Sequence, residues 1–349
     1  VVILFEGGTS LNLDVLGKSL GMTSVLSVIS FVLTSAIIAS VGFLTLELDM
    51  LPAILLGVTL GNTSSAVVIP MVNSLRLSDR PATILVLESA LSDVLSIVGV
   101  FALLQIHKQG GVEAGWLIGS VLASLVFAAA IGVIGGIGWL LVLGKVRGFP
   151  NTISSTLAYV FIIYGLTEML HFSGAIAALA LGLSLTNFQK FNLYRIPNVD
   201  KNIVPLNETD LSFYREAVFL LKTYFFVYLG ISIQFSNVRL AVTAASMMLI
   251  VYAMRLVLVR LIFREGSFTL RDTAFSSMMA PKGLAAAVLA TLPLQFGVVG
   301  GEVIRDTTFM VVLVSITLTA LLVMVYPAPI VQKIYASTLG KSIAETKKQ

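Results

Sequence analysis

Leu60-Gly61-Asn62-Thr63-Ser64-Ser65 and Glu88-Ser89-Ala90-Leu91-Ser92-Asp93 interrupt two stretches that are otherwise apolar enough to cross a bilayer. An ionisable side chain at membrane depth is costly, which makes Asp93 a functional-site residue by default. A run of Gly and small polar residues inside a span predicts a helix that breaks and turns backbone groups towards a cavity. Together the two stretches predict a secondary transporter in which Asp93 carries the changing charge.

The composition supports a membrane setting. Of 349 residues, 57% are hydrophobic and 11% charged, against roughly 25% charged in soluble domains. The mean hydropathy is +0.98. These values predict an all-α polytopic membrane protein whose principal partner is the lipid bilayer. The net charge of +4 gives no reason to expect nucleic acid binding. Cysteine is absent from the sequence, which excludes disulfides, thiolate metal sites and cysteine nucleophiles. The only histidines, His107 and His171, fall at predicted helix ends and do not suggest a metal centre. No cofactor is expected, nor any metal beyond a transported ion. Val1–Phe5 runs straight into Glu6-Gly7-Gly8 and reads as the end of a helix whose beginning is missing.

After a polar, amphipathic connection through Asp14 and Lys18, ten apolar segments follow: 24–46, 51–75, 82–106, 114–143, 152–170, 173–189, 214–234, 239–262, 270–296 and 306–330. Each approaches or exceeds the length that spans ~30 Å at 1.5 Å per residue, 173–189 being the weakest. The long connection 190–213 reads as a cytoplasmic loop. Alternate connections and the tail carry Lys18, Arg76, Arg80, Lys145, Arg147, Lys190, Arg195, Lys201, Arg260, Arg264, Arg271, Lys333, Lys341, Lys347 and Lys348. The opposite connections carry Lys108, Arg239 and Arg305. The positive-inside bias therefore predicts a cytoplasmic C-terminus. Arg215 and Lys222 lie near enough to a span end to snorkel.

With that orientation, the triplet 24–106 runs through the membrane in the opposite sense to the triplet 239–330. Each has an interrupted middle member, at Asn62–Ser65 in one and at Ala280-Pro281-Lys282-Gly283 in the other. Paired interruptions in inverted units are the sequence signature of a transporter site at the midplane. Counting along the helices puts Asp93, Thr63, Ser64 and Lys282 all about 16–18 Å deep. Glu88 and Arg255 both fall about 9–10 Å deep, where a carboxylate and a guanidinium can pair. Glu88, Ser89, Ser92, Asp93 and Ser96 form one polar helix face. Blander roles compete for several of these residues. Ser89 and Ser96 suit helix gluing or bonding to their own backbone. Glu88–Arg255 suits a structural ion pair, and Lys282 suits charge compensation of broken helix ends or a titrating group.

These motifs, in this order, resemble the monovalent cation:proton antiporter superfamily, particularly its sodium/proton exchanger branch, with features of potassium/proton efflux antiporters. Leu4-Phe5-Glu6-Gly7-Gly8 is similar to that family's acidic motif at the end of its third helix. Gly57–Pro70 occupies the place of the first crossing helix, where the family has Thr-Asp-Pro. Glu88–Asp93 resembles the Glu-Ser-x-x-Asn-Asp ion-site motif, and Tyr224–Ile233 the Phe-Phe-x-x-x-Gly segment. Arg255 and Pro281-Lys282-Gly283 fall at the arginine and the second crossing helix. Ser64 stands in place of the crossing-helix aspartate and Ser92 in place of the motif asparagine.

The resemblance implies an inverted-repeat fold with two crossing broken helices, and ten complete spans after the N-terminal stub. Its domains are the stub and connection 1–23, core halves 24–106 and 239–330, a linker and dimerising scaffold 107–238, and a cytoplasmic tail 331–349. It implies a homodimer in the cell (inner) membrane that exchanges Na⁺ or K⁺ for H⁺, electroneutrally, by competition for Asp93. Thr63, Ser64, Ser89, Ser92 and Glu6 accompany Asp93 in the cation and proton site, with Glu88, Arg255 and Lys282 balancing charge. A transport-inactive sensor on the same fold and a gated potassium efflux system are the alternatives. An enzyme is not expected, because Glu88 and Asp93 are misaligned for an acid pair.

Overall fold

The computed structural model describes residues 1–10, 13–109, 114–146, 152–170, 172, 174–189, 205–233, 238–263 and 268–340. His171, residues 190–204 of the long loop and the tail lysines Lys341, Lys347 and Lys348 lie outside them. Every regular element among the described residues is a helix. They run α1 Val2–Ser10, α2 Leu13–Thr45, α3 Met50–Thr59, α4 Ser65–Leu75, α5 Asp79–Gln109, α6 Ala114–Val146, α7 Thr152–Met169 and α8 Gly174–Thr186. Then follow α9 Glu208–Ser232, α10 Val238–Ile262, α11 Leu270–Met278, α12 Leu284–Leu289, α13 Leu292–Gln295, α14 Gly301–Val325 and α15 Pro329–Leu339. Among the described residues, five stretches are long and apolar enough to cross a membrane: Val25–Thr45, Arg80–Lys108, Val126–Leu143, Val238–Ile262 and Gly301–Val325.

Several boundaries differ from the sequence reading, each for a local reason. The connection through Asp14 and Lys18 is helical and continuous with the first span. Its polar residues alternate with Leu13, Val15, Leu16 and Leu20, and no proline interrupts it. Helix α9 starts six residues before 214, at a reciprocal cap: Asp210 N donates to Asn207 Oδ1 at 2.7 Å, and Asn207 N to Asp210 Oδ2 at 2.9 Å. Helix α14 ends at Val325 rather than 330, because Pro327 and Pro329 cannot continue it. It begins at Gly301, after Gly300 in the left-handed region at φ 84°.

The described chain forms two compact units, one of residues 1–18 and 112–225, the other of 19–111 and 226–349. In the first, α1, α6, α7 and α8 surround a core of Phe5, Trp139, Val160, Leu181 and Tyr214. Helices α1 and α8 approach until a Cβ on Gly182 would sit 2.3 Å from Phe5 O, the close backbone contact that membrane helices use in place of a hydrophobic driving force.

The second unit contains both interrupted segments. The first ends α3 with two tightening bonds, Leu60 N to Leu56 O and Gly61 N to Val58 O. Asn62, Thr63 and Ser64 then leave helical geometry, and Ser64 O accepts from Val68 N to open α4. The second ends α11 at Met278; Pro281 has no N–H to give, and Gly283 caps α12 in extended geometry. The two non-helical stretches bond to one another, Ser64 N donating to Pro281 O at 2.8 Å. A Cβ on Gly283 would lie 2.0 Å from Ser64 Oγ, so only glycine fits there. At the Ser78 end of the unit, the first turn of α11 is tied down by Asp272. Its carboxylate accepts from Ser78 Oγ at 2.5 Å and from Thr269 Oγ1 at 2.8 Å. Helix α15 packs Ala336 and Leu339 onto α4 and α11 residues there, beside Tyr326.

Candidate functional site

Helix α5 brings its polar face against the first interruption. Asp93 is 8% exposed, and both carboxylate oxygens are held by neutral donors. Asn62 Nδ2 donates to Oδ1 at 2.6 Å and Ser65 Oγ to Oδ2 at 2.8 Å. No cationic side chain among the described residues lies within salt-bridge distance of Asp93. Ser92 Oγ accepts from Thr63 N at 3.0 Å and donates to Ser89 O at 3.0 Å, so this hydroxyl pins the unwound backbone to α5. Ser89 Oγ bonds within its own helix, to Val86 O at 2.8 Å. Ser96 Oγ reaches Val58 O and Thr59 O at 2.8 and 3.2 Å, tying the end of α3 to α5.

Lys282 enters from the second interruption and is 1% exposed. Its ammonium donates to Asn62 O at 2.6 Å, and its backbone N to Ser315 Oγ at 2.9 Å. The ammonium thus satisfies a carbonyl of the unwound stretch that follows α3. Tyr252 hydroxyl donates to Ser315 O at 3.1 Å and hydrogen-bonds Thr319 Oγ1, extending this network onto α10 and α14.

One turn and a half along α5 from Asp93, Glu88 is clamped by Arg255 of α10. The pair is bidentate, at 2.6 and 2.7 Å, with both side chains 1% exposed. Arg255 also donates to Ser276 O at 3.0 Å and to Ser30 Oγ at 3.2 Å, so four elements meet on one guanidinium. Glu88 is therefore held in a bidentate ion pair, whereas Asp93 is held by neutral donors alone.

The residues singled out in the sequence divide accordingly. Asp93, Ser92, Thr63 and Lys282 are brought together around the interruption. Ser64 lies beside them, but its hydroxyl packs at Gly283 and its N–H serves Pro281. Glu6 belongs to the other compact unit, where it is half-buried within electrostatic reach of Lys222 and Arg215. Asn62 and Ser65, which contact Asp93 directly, are the residues that sequence reasoning passed over. The only signal was their place within the polar interruption, since residues 61–64 are not helical and carry no facing rule. Among the described residues no group of three His, Asp or Glu side chains is arranged to hold a metal. The oxygens near Asp93 are carboxylate, amide, hydroxyl and peptide oxygens, a set suited to a hard cation rather than a transition metal.

The comparisons with known proteins are consistent with this geometry. The family model described as "Sodium/hydrogen exchanger, transmembrane" matches residues 1–324. The chain belongs to this family. The exchanger-family chain is 28% identical over 254 residues to the Na(+)/H(+) antiporter NhaS2 of Synechocystis, covering 72% of this chain and 45% of that protein. It is 24% identical over 323 residues to the K(+)/H(+) antiporter NhaP2 of a Shewanella species, covering 90% of this chain and 54% of that protein. It spans about half the length of the curated relatives it matches. The sodium proton antiporter MjNhaP1 of Methanocaldococcus jannaschii superposes with a TM-score of 0.67 at 18% identity, over 97% of this chain and 84% of that one. That likeness shows the fold: the exchanger-family chain, all-helical among the described residues, is a multi-pass integral membrane protein. Its named relatives are transporters, not enzymes.

Proposed function

We propose that this chain is a secondary active antiporter that exchanges a monovalent cation, Na⁺ or K⁺, for H⁺ at Asp93. The observation that carries the reading is the contrast between the two buried carboxylates of α5. Glu88 is locked to Arg255, whereas both oxygens of Asp93 meet only neutral donors and Lys282 is directed to Asn62 O. Ionised, Asp93 attracts a cation into an oxygen-lined site; protonated, it releases it, and the two ligands exclude one another. Of the oxygens that the resemblance assigns to the site, those of Thr63 and Ser92 lie at the interruption beside Asp93, whereas Ser64 Oγ is at Gly283, Ser89 Oγ bonds to Val86 O and Glu6 belongs to the other compact unit. With one carboxylate free to cycle, the exchange is one for one and electroneutral.

The mutual bond of the two interruptions supports two crossing broken helices within an inverted repeat. In this reading residues 24–106 and 239–330 move as a core against a scaffold within 107–238, through which two copies dimerise. The distribution of basic residues favours a cytoplasmic C-terminus, and the cell membrane is the expected location. The test is the purified chain in liposomes carrying an imposed pH gradient. Addition of Na⁺, K⁺ or Li⁺ is expected to collapse the gradient, and Asp93→Asn to abolish the response. Failure of all three cations with the unaltered chain refutes antiport and favours a sensor.

A further inference from the structure

Asn62 sits in the unwound stretch between α3 and α4 and is fully buried. The two ends of its carboxamide are treated differently. Nδ2 donates to Asp93 Oδ1 at 2.6 Å, while Oδ1 is buried and has no hydrogen-bond partner. A buried amide oxygen left unpaired is rare and needs a reason. The backbone beneath it is fixed independently, since Asn62 O accepts from Lys282 Nζ at 2.6 Å. The carboxamide is thus tied at one end only, on a main chain that does not have to move for it to turn.

Two neighbouring hydroxyls are more committed. Ser92 Oγ already both donates and accepts, to Ser89 O and from Thr63 N. Ser65 Oγ has its proton on Asp93 Oδ2. A cation approaching Asp93 Oδ1 meets the amide NH₂, a donor that repels it. Turning the carboxamide by half a revolution exchanges NH₂ for the idle oxygen without altering volume.

We propose that Asn62 is a direct ligand of the cation bound at Asp93, and that it becomes one by this half-turn. Without a cation, Nδ2 satisfies the Asp93 carboxylate; with one, Asn62 Oδ1 and Asp93 Oδ1 hold it between them. The assignment rests on the reading of Asp93 as a cation site, and it adds a ligand that the resemblance does not supply. It also makes Asn62 a determinant of selectivity, since an amide oxygen adds a neutral ligand where a second carboxylate would favour a more strongly hydrated ion.

Equilibrium binding of radioactive sodium, and of rubidium as a tracer for potassium, to the purified full chain tests the assignment. Asn62→Ala and Asn62→Leu remove donor and acceptor together, the first by shortening the side chain and the second by keeping its branched outline in a larger apolar group. Both are expected to weaken binding about tenfold or more, and to do so even at alkaline pH, where proton competition has vanished. A group that only donates to Asp93 competes with the cation, so its removal leaves the alkaline affinity unchanged or tighter. That result overturns the proposal. A measurement on the unaltered protein stands apart from any folding defect in the variants. The dipolar coupling between asparagine side-chain nitrogen and Asp93 carboxyl carbon, by solid-state magnetic resonance, is expected to be present without cation and lost at saturation. A coupling that persists at saturation also overturns the ligand role. Cation binding without exchange in liposomes removes the antiport reading and leaves Asn62 as a ligand. Absence of cation binding to the unaltered chain removes both.

Discussion

Breaking the Glu88–Arg255 clamp tests how the core of the second unit is held together. Arg255→Ala deletes the two bonds to Glu88 and leaves that carboxylate 1% exposed with no counter-charge. It also strips Ser276 O of its donor Arg255 Nε, at the end of α11 just before the second interruption. Breaking a buried ion pair from one side costs about 3–5 kcal/mol, and the orphaned carbonyl adds about 1–3 kcal/mol. Glu88→Gln keeps the shape but leaves the guanidinium uncompensated, at a similar cost of about 3–5 kcal/mol. The double variant Glu88→Gln with Arg255→Gln buries two neutral amides that can bond to each other, and no net charge. It is therefore expected to be more stable than the Arg255→Ala single, and the cycle closed by an Arg255→Gln single to be non-additive by several times the ~0.5 kcal/mol expected of independent sites. Reversible unfolding in mixed micelles, following helix content against denaturing detergent, reads the parent and all four variants. A double as unstable as the sum of its singles would mean that the two residues are not energetic partners, whatever their separation.

Asp93→Asn is expected to fold, with a midpoint close to the parent's, and to give no cation-dependent collapse of a pH gradient; appreciable exchange would remove Asp93 as the carrier. Gly283→Ala forces a Cβ to within 2.0 Å of Ser64 Oγ and 2.6 Å of Ser64 Cβ, so a marked loss of stability is expected. Adding Ser64→Gly should restore much of that loss, because the next atom, Ser64 Cα, is 3.8 Å away; no rescue would mean that Gly283 is needed for another reason. Asp272→Ala removes the carboxylate bridging Ser78 and Thr269, and should lower stability by about 1–2 kcal/mol while Asp272→Asn loses less. A membrane potential imposed on Na⁺-loaded liposomes is expected to leave the exchange equilibrium unmoved. A cycle moving one net charge would instead respond by ~2.3 kcal/mol per 100 mV, and disappearance of such a response in Lys282→Arg would show that Lys282 carries the second proton.

What the sequence disclosed follows a physical division. Asp93 and Lys282 stand out because a charge inside an apolar run has few explanations, and Glu88 and Arg255 because depth along a helix follows from residue count. The interruptions were legible through Gly61 and Pro281-Lys282-Gly283. Side-chain direction within an interruption was not. Helical periodicity lapses between Leu60 and Ser64, so no angular rule tells which of Asn62, Thr63, Ser64 and Ser65 faces Asp93. The structure turns Asn62 and Ser65 to it and Ser64 to Gly283. Segment ends were legible only to within several residues, because the Asn207–Asp210 cap outweighs a hydropathy threshold. The segment 270–296 reads as one apolar run, yet it folds as α11, α12 and α13.

The reciprocal bonds between the interruptions bear on how the chain is made. Ser64 N needs the carbonyl of Pro281, and Asn62 O takes the ammonium of Lys282, so each break is completed by residues more than two hundred positions away. On a ribosome the first break leaves long before the second. Until residue 283 has been translated and inserted, α3 and α4 are joined by peptide groups that have neither water nor their final partners. The nascent first half must therefore be sheltered, by the insertion machinery or by a provisional arrangement of α3–α5, through most of synthesis. Ribosomes stalled before and after residue 283 are expected to hold nascent chains of sharply different protease resistance around Asn62.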